Sequence, residues 1–259
     1  MTHSVLVAGC SYLDVGMRQP MPPWDKINYR KYLIKGDVAA GNQAIAARVR
    51  HELSKKDFEQ VVVLWSGINR IDISVPLSTW ESLPNTYKFI SKFNDQIWYL
   101  SGGICGSWQQ GQDCPADIQS QFREHYLNQT MLSASNDTLK TIVETQQLLE
   151  NKGVDYVMSF IYDIHADYNN ELDVTGNKYP RTYATNRWPN WLALEHCLGQ
   201  VDTESPYYDQ VDWSKFPAEI TPFEYCAERN MLETDHFHPT KDGLKQWFQT
   251  QLDIYLTDS

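Results

Sequence analysis

The sequence has little that points to a metal, a cofactor or a membrane. Its five cysteines form no Cys-x-x-Cys pair and no metal-like spacing with histidine. No apolar run approaches the roughly 18 residues that a transmembrane helix needs, and the first residues lack the basic segment of a signal peptide. We therefore expect no metal, no cofactor and no membrane span, and we expect the chain to be soluble and cytoplasmic. An odd cysteine count suits free thiols, although Cys105 and Cys114 could form a local bridge in a secreted protein.

Positive charge is also scarce. The chain has 22 Lys and Arg against 33 Asp and Glu, a formal net charge of -11, and no basic cluster. This argues against nucleic acid as a partner. A length of 259 residues and the absence of repeats or linkers suit one domain spanning 1–259.

Four apolar runs predict the strands of a mainly parallel sheet. They lie at 4–8, 32–34, 61–65 and 155–162. Apolar residues at helical spacing follow the second run, and they recur at 116–131, 134–151 and 244–252. The pattern predicts an α/β domain, in which active-site groups gather at the carboxyl ends of the strands.

Polar residues follow three of these runs and are the first functional candidates. Ser11 comes after Gly9 and Cys10, where a nucleophile would be presented, although these residues also suit a turn. Gly41 precedes the first helix, so its N–H could bind an oxyanion, or the glycine could serve a turn with unusual backbone angles. Asn69 could donate its side-chain amide to the same oxyanion or close a turn. Taken one by one, these residues leave both interpretations open.

A carboxylate and an imidazole lie three residues apart near the C-terminus, at Asp235 and His238. Pro239 disfavours helical geometry at His238, so the pair is expected in an extended loop. An aspartate beside a histidine fixes one tautomer and stabilises the charged imidazole, as a general base requires. Asp163 and His165, at the exit of the last strand, are a competing pair, with capping or lining a cleft as their alternative role.

In two long segments the apolar residues follow neither helical nor strand periodicity, and these segments are predicted to be loop insertions. The segment near 72–115 is rich in aromatic residues and glycine, and we expect it to pass over the top of the sheet. The segment near 166–230 is expected to form much of a pocket wall. Charged or aromatic side chains in or beside these segments are the substrate-binding candidates: Arg70, Trp108, His165 and Trp188. The alternatives are a surface charge for Arg70 and packing of the insertion for most of the aromatic residues.

The order of these blocks resembles the SGNH subgroup of the GDSL esterase/lipase superfamily. The resemblance is carried by Gly9-Cys-Ser11, Gly41-Asn42, Gly67-Ile-Asn69 and Asp235-x-x-His238. It implies a three-layer α/β/α, flavodoxin-like domain with a mainly parallel sheet. It also implies that Ser11 is the nucleophile, that His238 is its general base and that Asp235 orients the imidazole. The implied oxyanion hole is formed by the backbone N–H groups of Ser11 and Gly41 with the side chain of Asn69.

The chain departs from the family pattern at two positions outside the triad. Cys10 stands where the family has an aspartate, and Arg70 stands where an aspartate often follows the asparagine. Cys10 is also a rival nucleophile, but its place before Ser11 should turn its side chain the other way. His236 is a rival base that does not fit the family spacing.

These residues predict a serine ester hydrolase that acts through an acyl-enzyme on O-acylated carbohydrates or small acyl esters. The alternative is a catalytically degenerate binding or structural module, for example a virion-associated one. The altered block around Cys10 slightly favours this alternative, and the intact Ser11, Asn69, Asp235 and His238 argue against it. An enzyme requires Ser11 within hydrogen-bond reach of His238, whereas a module does not.

Overall fold

The computed structural model describes eight parts of the chain: residues 4–10, 13, 31–37, 40–78, 90–100, 115–165, 200–233 and 238–256. Several residues singled out above lie outside these parts, namely Ser11, Cys105, Trp108, Cys114, Trp188, Asp235 and His236.

Seven strands form two sheets in the described part of the chain. They are β1 Ser4–Gly9, β2 Lys31–Gly36, β3 Gln60–Trp65, β4 Asp72–Pro76, β5 Ile90–Phe93, β6 Gln96–Leu100 and β7 Asp155–Phe160. The central sheet has the order β2-β1-β3-β7, and all its strand pairs are parallel. Gly9 at the end of β1 pairs with Gly36 on one side and Leu64 on the other, so the carboxyl ends of these strands share one edge. The predicted α/β class with a mainly parallel sheet is confirmed.

The core surrounds the two middle strands. The apolar residues of β1 and β3 are fully buried along their length, as in a sheet covered on both faces. The helices are α1 Asn42–Lys55, α2 Ala116–Asn128, α3 Met131–Asn151, α4 Pro222–Glu228 and α5 Lys241–Gln251. Helix α1 packs against α3, and α5 adds Leu244, Trp247 and Phe248 to the same core.

Local signals set the ends of the long helix α3. It begins at Met131, three residues before the predicted start, because Thr130 and Ser133 form a reciprocal capping box. It ends before Gly153, whose φ of 64° suits glycine better than any other residue.

Part of the first predicted loop insertion is a second sheet. Strands β4, β6 and β5 pair antiparallel, and Asn94 and Asp95 connect β5 to β6 with φ values of 55° at both positions. Two positive φ angles are typical of a tight hairpin turn. The sheet packs against α2 through a separate small core of Ile97, Tyr99, Ile118, Phe122 and Tyr126. The prediction that 72–115 passes over the central sheet as a loop is therefore wrong for these three strands.

The described part of the second insertion also has more order than its sequence suggested. Residues 208–210 and 213–215 form short 3-10 helices, and Pro222 begins α4. Phe216 stacks on Phe160 of β7, with ring centroids 5.4 Å apart. Within the parts that the structure describes, no helix is long and apolar enough to cross a membrane.

Candidate active site

The expected nucleophile, Ser11, follows the end of β1 by two residues. The Leu13 N–H donates to the Cys10 carbonyl over 3.0 Å, and Ser11 lies between them in the chain, outside the described residues. A Cβ on Gly9 would lie 3.0 Å from the Leu64 carbonyl oxygen and 2.9 Å from Leu13 Cδ1, so this position has no room for a side chain.

Cys10 is a free thiol with no exposed surface. Its side chain belongs to the core around the central sheet, as its position before Ser11 predicts. A thiol in the core cannot approach a substrate from solvent, and this argues against Cys10 as the rival nucleophile.

Gly41 lies at the start of α1 and contacts the segment that follows β3. Its N–H donates to Asp72 Oδ1 over 2.8 Å, and the Ala44 N–H donates to Asp72 Oδ2 over 2.9 Å. A carboxylate at this end of a helix satisfies unpaired N–H groups and complements the helix dipole. The prediction that the Gly41 N–H binds an oxyanion stays a prediction, and it requires this amide to leave Asp72.

The glycine at position 41 is required for space. Its φ of -90° is open to any residue, so the turn interpretation based on unusual backbone angles does not hold. A Cβ here would lie 2.8 Å from Asp72 Oδ2 and 3.0 Å from the Arg70 carbonyl oxygen.

Asn42 and Thr138 bind the backbone of residues 66–68, which immediately precede Asn69. The Asn42 side chain accepts from the Ser66 N–H over 2.7 Å and donates to the Gly67 carbonyl over 3.4 Å. The Thr138 hydroxyl, on α3, donates to the Ile68 carbonyl over 3.0 Å and accepts from Asn42 Nδ2 over 3.2 Å. Because these side chains are buried, their bonds fix the backbone of 66–68 against α1 and α3.

Asn69 and Arg70 follow these anchored residues. Asn69 is 7% exposed. Arg70 is partly buried, and its Nη1 donates to the Ala40 carbonyl over 3.4 Å, so it contributes to the contact between the two blocks. The structure therefore brings together the blocks predicted around Gly41 and Asn69, which are 28 residues apart in the sequence.

Residues 231–233 and 238–240 pair as a short antiparallel hairpin, in which His238 lies opposite Glu233. The His238 carbonyl accepts from the Glu233 N–H over 2.7 Å, and the Thr240 N–H donates to the Met231 carbonyl over 2.7 Å. Leu232 and Pro239 form an antiparallel bridge between these two bonds. His238 is a bend residue next to the bridge at Pro239, so its predicted place in an extended loop stays a prediction, and Asp235 lies outside the described residues.

The hairpin is fixed to α5 and α4. Thr240 caps α5 by accepting from the Gly243 N–H over 3.1 Å. A Cβ on Gly243 would lie 2.8 Å from Cys226 Sγ and 2.9 Å from Met231 Cβ, so the start of α5 can approach α4 only without a side chain here. In turn, the Phe223 N–H of α4 donates to the Ile161 carbonyl just after β7. His238 is thus connected to the carboxyl edge of the central sheet.

The competing pair after β7 has a different geometry from a catalytic pair. Asp163 Oδ1 accepts the backbone N–H of His165 over 2.9 Å, which is an Asx-turn contact. The His165 ring lies edge-on to Trp213 and Tyr208, with centroid distances of 5.7 and 6.1 Å. The pair therefore makes a local turn contact and an aromatic contact, and its alternative role of capping or lining a cleft stays a prediction.

Burial raises the pKa of Asp72 to about 7, above the ordinary value of 3.8. The N–H groups of Ala44 and Gly41 and the nearby Arg70 act in the opposite direction, while Asp37 adds to the rise. The cost of removing the charged carboxyl from water exceeds the stabilisation that its hydrogen bonds and Arg70 provide. The free energy of folding therefore depends on whether Asp72 is ionised.

The polar network of Asn42, Asp72 and Thr138 was not predicted from the sequence. In the sequence, Asn42 stands out only as part of the Gly41 block, and neither Asp72 nor Thr138 belongs to a local motif. Thr138 is 70 residues from the carbonyl that it contacts. Within the described segments, no group of three or more His, Cys, Asp or Glu residues is placed to hold a metal ion.

No protein-family model and no curated protein matches the chain. Among solved structures, it is similar to a catalytic mutant of Axe2, an acetylxylan esterase from Geobacillus stearothermophilus, with 12% identity, 98% of this chain and 96% of that chain covered, and a TM-score of 0.39. A second variant of Axe2 has 14% identity, coverage of 94% and 89%, and a TM-score of 0.36. LAE5, an α/β hydrolase enzyme from the metagenome of Lake Arreo in Spain, has 13% identity, coverage of 95% and 92%, and a TM-score of 0.33. With TM-scores below 0.5, these structural overlaps are loose.

Proposed function

We propose that the chain is a serine ester hydrolase that works through an acyl-enzyme. Ser11 is the nucleophile, His238 is the general base, and Asp235 orients and stabilises the His238 imidazole. The Asn69 side chain and the Ser11 N–H stabilise the oxyanion. The Gly41 N–H would join them only after giving up its bond to Asp72.

One observation supports this proposal most. The segment that carries Asn69 follows β3 at the sheet edge where β1 delivers the chain to Ser11, and it is held by buried bonds from Asn42, Asp72 and Thr138. Fixing a loop with buried polar side chains requires nearly complete hydrogen bonding, because an unpaired buried polar group costs about 1–3 kcal/mol. Such rigidity suits a donor that must be in place before negative charge develops.

The chemistry follows from these roles. His238 takes the proton of the Ser11 hydroxyl as its oxygen attacks the ester carbonyl. The tetrahedral oxyanion accepts hydrogen bonds from Asn69 and from the Ser11 N–H, and the alcohol leaves with the proton held by His238. Water then attacks the acyl-Ser11 ester with His238 again acting as the base, which releases the acid and restores the serine.

The proposed substrate is an O-acylated carbohydrate or a small acyl ester. His165, Tyr208 and Trp213 form an aromatic group after β7, on the side of the sheet where its strands end. Aromatic rings partly open to solvent suit stacking on sugar rings, which makes an acylated sugar the first substrate to test. Arg70, Trp108 and Trp188 remain proposed contacts of that substrate.

A binding module without catalysis is the second proposal. The specific observation in its favour is that the Gly41 N–H, which the resemblance assigns to the oxyanion hole, is already engaged by a carboxylate. Cys10 in place of an acidic residue points the same way. In such a module, the ligand would bind without bond cleavage.

A panel of short-chain p-nitrophenyl esters and O-acetylated xylo-oligosaccharides separates the two proposals. Release of acid would be followed by titration, and binding of the same sugars by calorimetry. The hydrolase proposal predicts multiple turnovers on at least one ester of the panel. Saturable binding of acetylated sugar without acid release would overturn it in favour of the binding module.

A further inference from the structure

We propose that Asp72 is a positioning residue that fixes the segment around Asn69 against α1. In this role its carboxyl group accepts the Gly41 N–H, so that this N–H is not available to an oxyanion. This inference rests on the proposed hydrolase function and assigns a role to residues that the triad does not include. The three side chains that hold the segment, Asn42, Asp72 and Thr138, are called the clamp.

The clamp acts on both sides of Asn69. Before it, Asn42 and Thr138 bind the backbone of Ser66, Gly67 and Ile68. After it, Asp72 binds the first turn of α1. Asn69 therefore has only Arg70 and Ile71 between it and an anchored carboxylate, and its backbone cannot shift without breaking a buried bond.

The hydrogen bond between the Gly41 N–H and Asp72 also argues against an oxyanion at the same N–H. The Asp72 carboxyl accepts the Gly41 N–H at 2.8 Å, so above about pH 7, where this buried group is ionised, an oxyanion on the same N–H would lie close to a negative charge in a buried site. Like charges at such separations repel strongly where water is excluded. The bond is therefore more consistent with a clamp than with a third oxyanion donor, and the Asn69 side chain and the Ser11 N–H carry the oxyanion.

A double-mutant cycle in kcat tests the proposal. Asn69→Ala alone is expected to lower kcat about 10²- to 10³-fold, because it removes a donor to the oxyanion. Asp72→Asn keeps one acceptor oxygen but turns an NH2 group toward the second N–H. We expect it to lower kcat about 10- to 100-fold through misplacement of Asn69, with KM changing less than kcat. In the Asn69→Ala background, the same change should lower kcat less than about 2-fold, because the residue that it positions is gone.

Thr138→Val provides a second route if Asp72→Asn does not fold. It removes the bond to the Ile68 carbonyl while keeping the shape of the side chain, and it should couple to Asn69→Ala in the same way. The matched control is Thr145→Val, on the same helix, whose buried hydroxyl donates to Thr141 and not to the segment. The control should leave kcat unchanged in both backgrounds.

The outcomes distinguish this inference from the function on which it rests. If Asp72→Asn or Thr138→Val lowered kcat by the same factor in the wild-type and in the Asn69→Ala background, the clamp would be overturned and the hydrolase proposal would stand. Full activity in Asn69→Ala would overturn the role of Asn69 and the clamp with it, while leaving Ser11 as the nucleophile. No hydrolysis by the wild type would overturn the proposed function itself and also remove the inference.

Discussion

Replacing His238 by alanine is expected to lower kcat for ester hydrolysis at least about 10⁴-fold. Without a base, the Ser11 hydroxyl keeps its proton and is a poor nucleophile. The variant should still fold, because the hairpin is closed by the backbone of His238 and by the Leu232–Pro239 bridge, which the side chain does not form. Initial rates on p-nitrophenyl acetate would be measured together with thermal unfolding.

His236→Ala is the matched control for this experiment. It removes a second imidazole from the same short stretch, and His236 is the rival base beside Asp235. The account predicts that His236→Ala keeps most of the wild-type kcat. If His236→Ala abolished turnover and His238→Ala did not, the roles of the two histidines would be exchanged.

The free energy of unfolding is expected to depend on pH through Asp72. Its pKa in the folded protein is about 7, above the ordinary value of 3.8, so the folded state binds this proton more tightly than the unfolded state. The resulting stability is fully present below about pH 4 and is lost as the pH rises through about 7. The difference between these two pKa values corresponds to a free energy of about 4 kcal/mol, so Asp72 should account for a loss of stability of that order across this pH range.

Urea unfolding of wild type and Asp72→Asn at several pH values between about 4 and 8 measures this contribution. The other titrating groups are common to both proteins, so the difference between the two free energies isolates Asp72. That difference should shift by about 4 kcal/mol in favour of the variant as the pH rises. Asp155→Asn, at an exposed position, controls for the change in net charge. A difference that is constant with pH would show that Asp72 ionises alike in the folded and unfolded states.

The central sheet and the helices that flank it follow from local signals. Nearly continuous apolar runs identify β1, β3 and β7, because strands buried on both faces carry few polar residues. The helix α5 was also readable, since Thr240 before Leu244, Trp247 and Phe248 gives both a cap and a helical period. These signals depend only on residues close together in the sequence.

Helix α4 and the small antiparallel sheet were missed although their signals were present. Pro222 follows Thr221 and precedes Glu224, a typical beginning of a helix, and α4 starts there. The turn at Asn94 and Asp95 connects two short strands, but their four and five residues gave too little alternation to stand out among the aromatic residues. Short elements depend on tertiary packing, which local patterns do not report.

The clamp could not be predicted because it is made of long-range contacts. Asp72 is 31 residues from Gly41, and Thr138 is 96 residues from Asn42. Asp72 is the first residue of a strand, where a lone aspartate usually faces solvent. Its burial and its partners follow only from the packing of α1 against the segment after β3.

The measurement that tests the central claim most directly compares ester hydrolysis by wild type and Ser11→Ala on the same substrates. Both proteins would be matched in concentration and checked for equal thermal stability. The account predicts steady turnover by the wild type and no rate above background for Ser11→Ala, with an acyl adduct on Ser11 in the wild type by mass spectrometry. Equal turnover by both proteins would contradict Ser11 as the nucleophile.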